Sequence, residues 1–332
     1  MITRRNFLAA ATATVASASV VRRASAAVTL DLATVWPDGN FHTQNAVAFA
    51  DAVGKATDGA VAITVQSGGA LGFKGPEQLR AVRDGLVPMA DVLNIQQIGD
   101  EPLLGTESIP FLVGSAEELK VLHKYLRPAY DEIAAKNNQK ILYMVPWPTQ
   151  YLHLKVKADG LAGLEGVKIR VPDKNAQDMC NALGMSAILM PWGEVVPALA
   201  SGRVDGVSTS ATSGVDGKFW EFLETIYPTN HVWSSQMVNI NLDRWNEISP
   251  ENREKIEALA RDMEPGFWDV SVRNDKESLK LLTDNGMEVM AISPDMRAEM
   301  QARTAPLKDA FIERVPQAGP IVEAYLEELG RG

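Results

Sequence analysis

Arg170 is the residue best suited by type and position to bind a ligand. It lies near the C-terminal end of the stretch Gly166-Val167-Lys168-Ile169-Arg170-Val171-Pro172, in which apolar and charged residues alternate as in a half-buried strand. Pro172 cannot donate to a ladder and ends the strand. Ligands of open α/β sheets bind beyond the carboxyl ends of the strands, where a guanidinium offers a carboxylate a planar fork of donors. The alternative is a solvated arginine on the polar face of the strand.

Hydroxyl and aromatic side chains follow other predicted strands. The segment from Ser208 to Gly214 is rich in serine and threonine, including Thr209 and Ser210, and is either a ligand-binding loop or an ordinary polar loop. Five tryptophans fall in or beside predicted strand-end loops: Trp36, Trp147, Trp192, Trp220 and Trp233. If two or three of them line a cleft, the ligand is small or flat and partly apolar, because aromatic walls stack and exclude water.

Several chemistries are excluded by composition and spacing. The single cysteine, Cys180, permits no intrachain disulfide and no thiolate zinc site, and the four histidines share no metal-ligand spacing. The glycine-rich segment 68–75 lacks the Gly-Lys-Ser/Thr ending of a phosphate loop. Glu194 with His153, or Ser208 with a histidine, could be imagined as catalytic pairs, but no spacing supports them. We therefore predict a protein that is not an enzyme and uses no cofactor or metal.

The first 26 residues resemble an export signal. A twin-arginine pattern at Arg4-Arg5 precedes a mildly apolar run, and Ala24-Ser25-Ala26 suits a signal peptidase. The formal net charge is −10, and because this segment holds four arginines and no acid, the remainder carries −14. Such an acidic chain disfavours nucleic acid and anionic membranes, and no later window is apolar enough to insert into a bilayer. We predict a periplasmic protein exported by the twin-arginine route.

Strand and helix patterns alternate along the chain. The segment 28–34 reads as a strand, 43–57 as a helix and 61–65 as a second strand, which predicts a right-handed βαβ unit with a parallel sheet. A second unit runs from a strand that begins at Ala187 through a short helix closed by Gly202 to a strand at 203–209. The predicted fold class is α/β.

The string around Arg170, followed by Glu194, Gly202 and Val204-Asp205-Gly206, resembles the substrate-binding subunit of tripartite ATP-independent periplasmic (TRAP) transporters of the DctP type. The resemblance covers nearly the whole chain after the signal, including Gly69-Ala70-Leu71-Gly72 and Ile109-Pro110-Phe111-Leu112. It implies a two-lobed periplasmic binding protein fold with a long helix bridging both lobes.

The implied domain boundaries follow this architecture. Residues 27–146 form lobe I, 147–236 form lobe II, 237–270 return to lobe I with the first part of the long helix, and 271–332 comprise lobe II and the C-terminal helices, which close on the second lobe. Pro265 lies inside the helical pattern and predicts a kink or a break, because an interior proline removes one backbone hydrogen bond.

The resemblance also implies a set of ligand-binding residues. By position, loops facing the ligand contribute Trp36, Asn40, Phe73, Asn94 and Gln97, which join Arg170, Trp147, Trp192, Thr209, Ser210 and Trp233. Gln150 stands where many relatives carry a second arginine, and Thr209 stands where sialic-acid-type members carry asparagine. These departures argue against sialic acid and against a C4-dicarboxylate held by charge at both ends.

The predicted function is that of an extracytoplasmic solute receptor. It would close on a small-molecule carboxylate through Arg170 and deliver it to the small and large subunits of an ion-coupled TRAP permease. The alternatives are a solute receptor of an ATP-driven transporter or of a signalling system. The ligand's identity stays open, as does the oligomeric state.

Overall fold

The computed structural model describes residues 27–158 and 160–331. The predicted twin-arginine signal at 1–26 lies outside these residues. Within them the strands are, in chain order, β1 Val28–Ala33, β2 Val61–Gln66, β3 Met89–Leu93, β4 Gln139–Pro146, β5 Tyr151–Leu154, β6 Lys168–Val171, β7 Ser186–Leu189, β8 Gly206–Thr209, β9 Thr225–Tyr227, β10 Ser235–Asn241 and β11 Glu288–Val289. The α-helices are α1 Phe41–Ala56, α2 Gln78–Arg83, α3 Ala116–Lys136, α4 Lys174–Ala182, α5 Val195–Ala200, α6 Ala211–Asp216, α7 Leu242–Glu247, α8 Pro250–Asp284, α9 Pro294–Thr304, α10 Pro306–Arg314 and α11 Ala318–Glu328.

Two separate sheets define two lobes. Lobe I holds a five-stranded sheet in the order β2-β1-β3-β10-β4, and lobe II holds a six-stranded sheet in the order β11-β9-β5-β8-β6-β7. In lobe I, β1 pairs in parallel with β2 and β3, as the βαβ pattern predicts, while β10 runs antiparallel to β3 and β4. In lobe II, β6 is parallel to both β7 and β8. The predicted α/β, two-lobed fold is confirmed.

The chain crosses between the two sheets at two short connections and along one helix. One connection lies between β4 and β5 and the other between β9 and β10. The helix α8 packs on α1 and β4 of lobe I and on α6 of lobe II. Ser249 caps it by accepting a hydrogen bond from the Asn252 amide, and Pro250 occupies its first turn. The predicted bridging helix is confirmed.

Pro265 does not break α8, which runs continuously from Pro250 to Asp284. The proline removes a single backbone donor, and packing on both sides of it keeps the flanking turns in place. Phe267 and Trp268 are buried in the lobe I cores, and the Trp268 indole nitrogen donates to the Met144 carbonyl at 2.8 Å. A break at this position, one of the two predicted outcomes, is therefore wrong.

The C-terminal helices divide between the lobes, whereas the sequence pattern assigned them to lobe II. The helix α9 packs against α4 of lobe II, but α11 packs against α3 of lobe I. Phe311, Val322 and Tyr325 are buried in a lobe I core, and the Tyr325 hydroxyl donates to the Leu112 carbonyl at 3.2 Å. An amphipathic pattern shows that a helix needs an apolar partner but does not say which one.

Among the described residues, no helix is long and apolar enough to cross a bilayer.

Candidate functional site

Arg170 is buried between the lobes. It lies on β6 opposite Ile188 of β7 and Val207 of β8, and it is 2% exposed. Its Nε donates to the Met190 carbonyl at 2.9 Å, which fixes the plane of the guanidinium. Within the described part of the chain, its two terminal nitrogens have no hydrogen-bond partner. The alternative of a solvated surface arginine is therefore excluded.

Burial lowers the pKa of Arg170 to about 10, because the charged form loses its hydration. The Asp173 carboxylate opposes this shift, yet it makes no ion pair with the guanidinium. Asp173 instead caps α4, accepting from the amides of Asn175 and Ala176, and burial raises its own pKa to about 6. The positive charge of Arg170 thus lacks a direct partner, so the site favours an anion.

The cavity at Arg170 is small and draws its walls from both lobes. Its volume is about 20 Å³, and it is lined by Trp36, Leu93, Ile95, Gln96, Trp147, Gln150, Arg170, Pro172, Trp192, Thr209, Ser213 and Ser234. The ring centroids of Trp36 and Trp147 are 4.5 Å apart, edge to face, and those of Trp36 and Trp192 are 5.5 Å apart. Three tryptophans therefore surround a site with a single cationic side chain.

Six of the predicted site residues come together in this cavity: Arg170, Gln150, Thr209, Trp36, Trp147 and Trp192. Phe73 lies nearby, in a cavity of about 260 Å³ that Trp192 also lines. That second cavity also contains Glu194, whose carboxylate pairs with Lys74 Nζ of lobe I at 2.9 Å. Its lining residues come from both lobes.

Five predicted residues lie outside the Arg170 cavity, and each makes a hydrogen bond elsewhere in the protein. Asn94 accepts from the amides of Ile95 and Ser235, and Gln97 donates to the carbonyls of Gly75 and Leu93. Ser210 caps α6, and the Trp233 indole donates to Asn230. Asn40 caps α1 and also donates to Asp216 of lobe II at 2.7 Å. Asn40 thus contributes to the contact between the lobes.

The sequence reasoning missed Leu93, Ile95, Gln96, Pro172, Ser213 and Ser234. Ser213 could have been found, since it belongs to the hydroxyl-rich segment that was singled out. Gln96 lies between two residues that were predicted, in a 3₁₀ turn whose side chains point in different directions. Ser234 belongs to the second connection between the lobes, where no pattern marks the residue facing the cleft.

The imagined Ser–His pair exists but is not arranged for catalysis. The Ser208 hydroxyl lies 3.0 Å from His231 Nε2, and the other ring nitrogen contacts Thr229 Oγ1 at 2.6 Å instead of a carboxylate. Burial lowers the pKa of His231 to about 3, which makes it a poor general base. Neither Ser208 nor His231 lines the Arg170 cavity.

Comparison with known proteins gives consistent results. The sequence model for "Bacterial extracellular solute-binding protein, family 7" (DctP) matches residues 32–314. The C4-dicarboxylate-binding periplasmic protein DctP of Rhodobacter capsulatus is 24% identical over 283 residues, which cover 82% of this chain and 83% of the relative. The family and its structural neighbours are solute-binding receptors, which confirms the prediction that the chain is not an enzyme.

Two solved structures are similar at higher identity. DctP7, a Bordetella pertussis extracytoplasmic solute receptor binding pyroglutamic acid, superposes with a TM-score of 0.86 and 29% identity over 90% of this chain and 99% of its own. A marine metagenome TRAP solute-binding protein specific for pyroglutamate superposes with a TM-score of 0.87 and 28% identity over 91% of this chain and 100% of its own.

Proposed function

The chain belongs to the DctP family of bacterial extracellular solute-binding proteins, and from that membership we propose that it is a TRAP transporter receptor that binds a small organic acid through Arg170. In this proposal the protein is exported to the periplasm by the twin-arginine route. It releases its ligand to the small and large subunits of an ion-coupled permease. The family match and the similarity to TRAP solute receptors support this assignment.

The observation that carries the proposal is the buried guanidinium of Arg170 with two unpartnered terminal nitrogens. A buried charge without a partner is unfavourable: removing one member of a buried ion pair destabilises a protein by about 3 to 5 kcal/mol. A carboxylate that accepts from both nitrogens offsets this cost through charge-assisted hydrogen bonds of about 1.5 to 3 kcal/mol each. Ligand binding therefore favours the closed arrangement of the lobes, and a solute without an acidic group does not.

The lining of the cavity favours a compact monocarboxylate. Arg170 is the only cationic side chain among its lining residues, and Gln150 offers no charge for a second carboxylate. The tryptophan walls suit a flat, partly apolar body. Pyroglutamate, the ligand of the two similar receptors, has these properties, and we propose it or a close analogue as the ligand.

Closure is reinforced by polar contacts between the lobes. Asn40 of lobe I donates to Asp216 of lobe II, and Lys74 of lobe I pairs with Glu194 of lobe II. These pairs must separate when the cleft opens. In this mechanism the ligand shifts the population toward the closed form by its preference for that form, and the permease then recognises the closed receptor.

A binding screen with the protein from residue 27 onward tests the proposal. Calorimetric titration with pyroglutamate, lactate, succinate, glucuronate and a neutral sugar should show tight binding of a monocarboxylate and no binding of the sugar. Arg170→Lys keeps the charge but loses the fork and should weaken binding at least tenfold. The exposed Arg203 of the same lobe provides the matched control, Arg203→Lys. Binding of the neutral sugar, or equal affinity in Arg170→Lys, would refute the assignment.

A further inference from the structure

A buried glutamine connects one wall of the ligand cavity to strand β3 of lobe I. Gln236 lies on β10, is 1% exposed and is not among the residues that line the Arg170 cavity. Its Oε1 accepts from the indole Nε1 of Trp147 at 3.0 Å, and its Nε2 donates to the Asp91 carbonyl at 2.8 Å. An indole N–H only donates and a backbone carbonyl only accepts, so the two contacts agree on the orientation of the amide.

Trp147, which lines the cavity, is held by its backbone and by its ring. Its amide donates to the Ser234 carbonyl at 2.8 Å. Its ring centroid lies 4.5 Å from that of Trp36 and 4.5 Å from that of His42. Apolar packing tolerates small rotations of a ring, whereas a hydrogen bond weakens steeply as it bends. The bond to Gln236 therefore sets the direction of the indole N–H and with it the plane of the ring.

The same network reaches the neighbouring wall, Trp36. Asp91 Oδ2 accepts from Thr34 Oγ1 at 3.1 Å, and Thr34 Oγ1 accepts from the Trp36 amide at 3.3 Å. Asp91 and Thr34 are each 1% exposed, so these bonds lie where water does not compete for them. Asp91 thus anchors both tryptophans, Trp147 through its carbonyl and Gln236, and Trp36 through its carboxylate and Thr34.

We infer that Gln236 is a positioning residue of the ligand site, which acts through Trp147 and does not touch the ligand itself. The inference rests on the proposed function, since it assumes that an acid binds in the Arg170 cavity. Trp36 and Trp147 share one lobe I core, and Gln236 and Asp91 lie on the adjacent lobe I strands β10 and β3. Lobe I therefore holds this wall in place by itself. A surface that is already ordered loses less side-chain entropy when the ligand binds.

A double-mutant cycle with pyroglutamate as the probe tests this role. Gln236→Met keeps the length of the side chain but removes the acceptor, and calorimetric titration should show at least about fivefold weaker binding than in the wild type. In the Trp147→Phe background, which lacks the indole N–H, the same substitution should change the affinity less than about twofold.

Gln139→Met is the matched control. Gln139 is also 1% exposed and also bridges two groups of lobe I, since its Nε2 donates to the Leu79 carbonyl at 2.7 Å and its Oε1 accepts from Asn239 Nδ2 at 2.9 Å. It does not line the Arg170 cavity. The affinity of Gln139→Met should therefore stay within about twofold of the wild type.

A measurement without ligand tests the same contact independently. In protein with ¹⁵N-labelled tryptophan, the indole resonance that Trp147→Phe removes belongs to Trp147. Its indole hydrogen should exchange with solvent at least about tenfold faster in Gln236→Met than in the wild type, and at an unchanged rate in Gln139→Met.

The outcomes separate the positioning role from the proposed function. Unchanged affinity in Gln236→Met, or an equal loss with and without the Trp147 indole, would overturn the inference and leave the receptor function intact. A similar loss in Gln139→Met would overturn it as well, because the effect would then belong to the stability of lobe I. If the wild type does not bind pyroglutamate, the proposed ligand fails, and an unchanged exchange rate of the Trp147 indole hydrogen in Gln236→Met would by itself refute the positioning role.

Discussion

Replacing Arg170 by methionine should have opposite effects on ligand binding and on the free protein. Burial lowers the pKa of Arg170 from its usual range to about 10. At about 1.36 kcal/mol for each pKa unit, keeping the buried guanidinium charged costs about 3 kcal/mol. Methionine removes this cost and retains much of the side-chain volume, but it leaves the Met190 carbonyl without its donor, which costs about 1 kcal/mol. The net gain for the closed, ligand-free form is about 2 kcal/mol.

Two measurements on Arg170→Met check this reasoning. Small-angle scattering of the ligand-free protein should give a smaller radius of gyration than the wild type, since closure no longer buries an unpaired charge. Calorimetric titration with the acid that the wild type binds should show at least about a hundredfold loss of affinity, because two charge-assisted hydrogen bonds are gone. A variant that binds within threefold of the wild type, or that is more open without ligand, would refute the argument.

Three other perturbations follow from the buried and paired charges. Burial raises the pKa of Asp91 to about 7. Because this folded-state pKa lies above the unfolded value, the contribution of Asp91 to stability declines as the pH rises from about 4 to about 7. Asp91→Asn should therefore raise the free energy of unfolding at pH 8 by up to about 4 kcal/mol in urea titrations, and no gain over the wild type at that pH would contradict this. Burial lowers the pKa of His153 to about 4, so the contribution of His153 to stability declines as the pH falls from about 6.5 to about 4. His153→Phe should therefore lose less free energy of unfolding between pH 7 and pH 4.5 than the wild type. Equal losses would show that His153 does not cause this pH dependence. Lys74→Met breaks the exposed pair with Glu194 and should weaken ligand binding less than about fivefold by calorimetry, whereas a larger loss would show that the second cavity contributes directly to affinity.

The strand that carries Arg170 could be predicted, but its environment could not. Alternation in the segment 166–172 gives β6 and places Arg170 near its carboxyl end. The same alternation put Arg170 on the polar face, whereas the structure buries Ile169, Arg170 and Val171 together. The reason is that lobe I covers this end of the lobe II sheet. A pattern along one strand contains no information about a surface supplied by residues more than fifty positions away, such as Trp36, Leu93 and Ile95.

The same distinction applies to the other site residues. The sequence by itself determined the α/β class, the long helix and the presence of polar and aromatic side chains at strand ends, because these depend on residue types and local periodicity. Only the tertiary structure decided that Trp36, Trp147 and Trp192 share one cavity while Trp233 donates to Asn230 and packs in a lobe I core. It also decided that the Gln150 side chain donates one of its N–H groups to the Pro148 carbonyl. A hydrogen-bond partner is a matter of three-dimensional proximity, and so the chemistry that each side chain offers to a ligand is settled by folding.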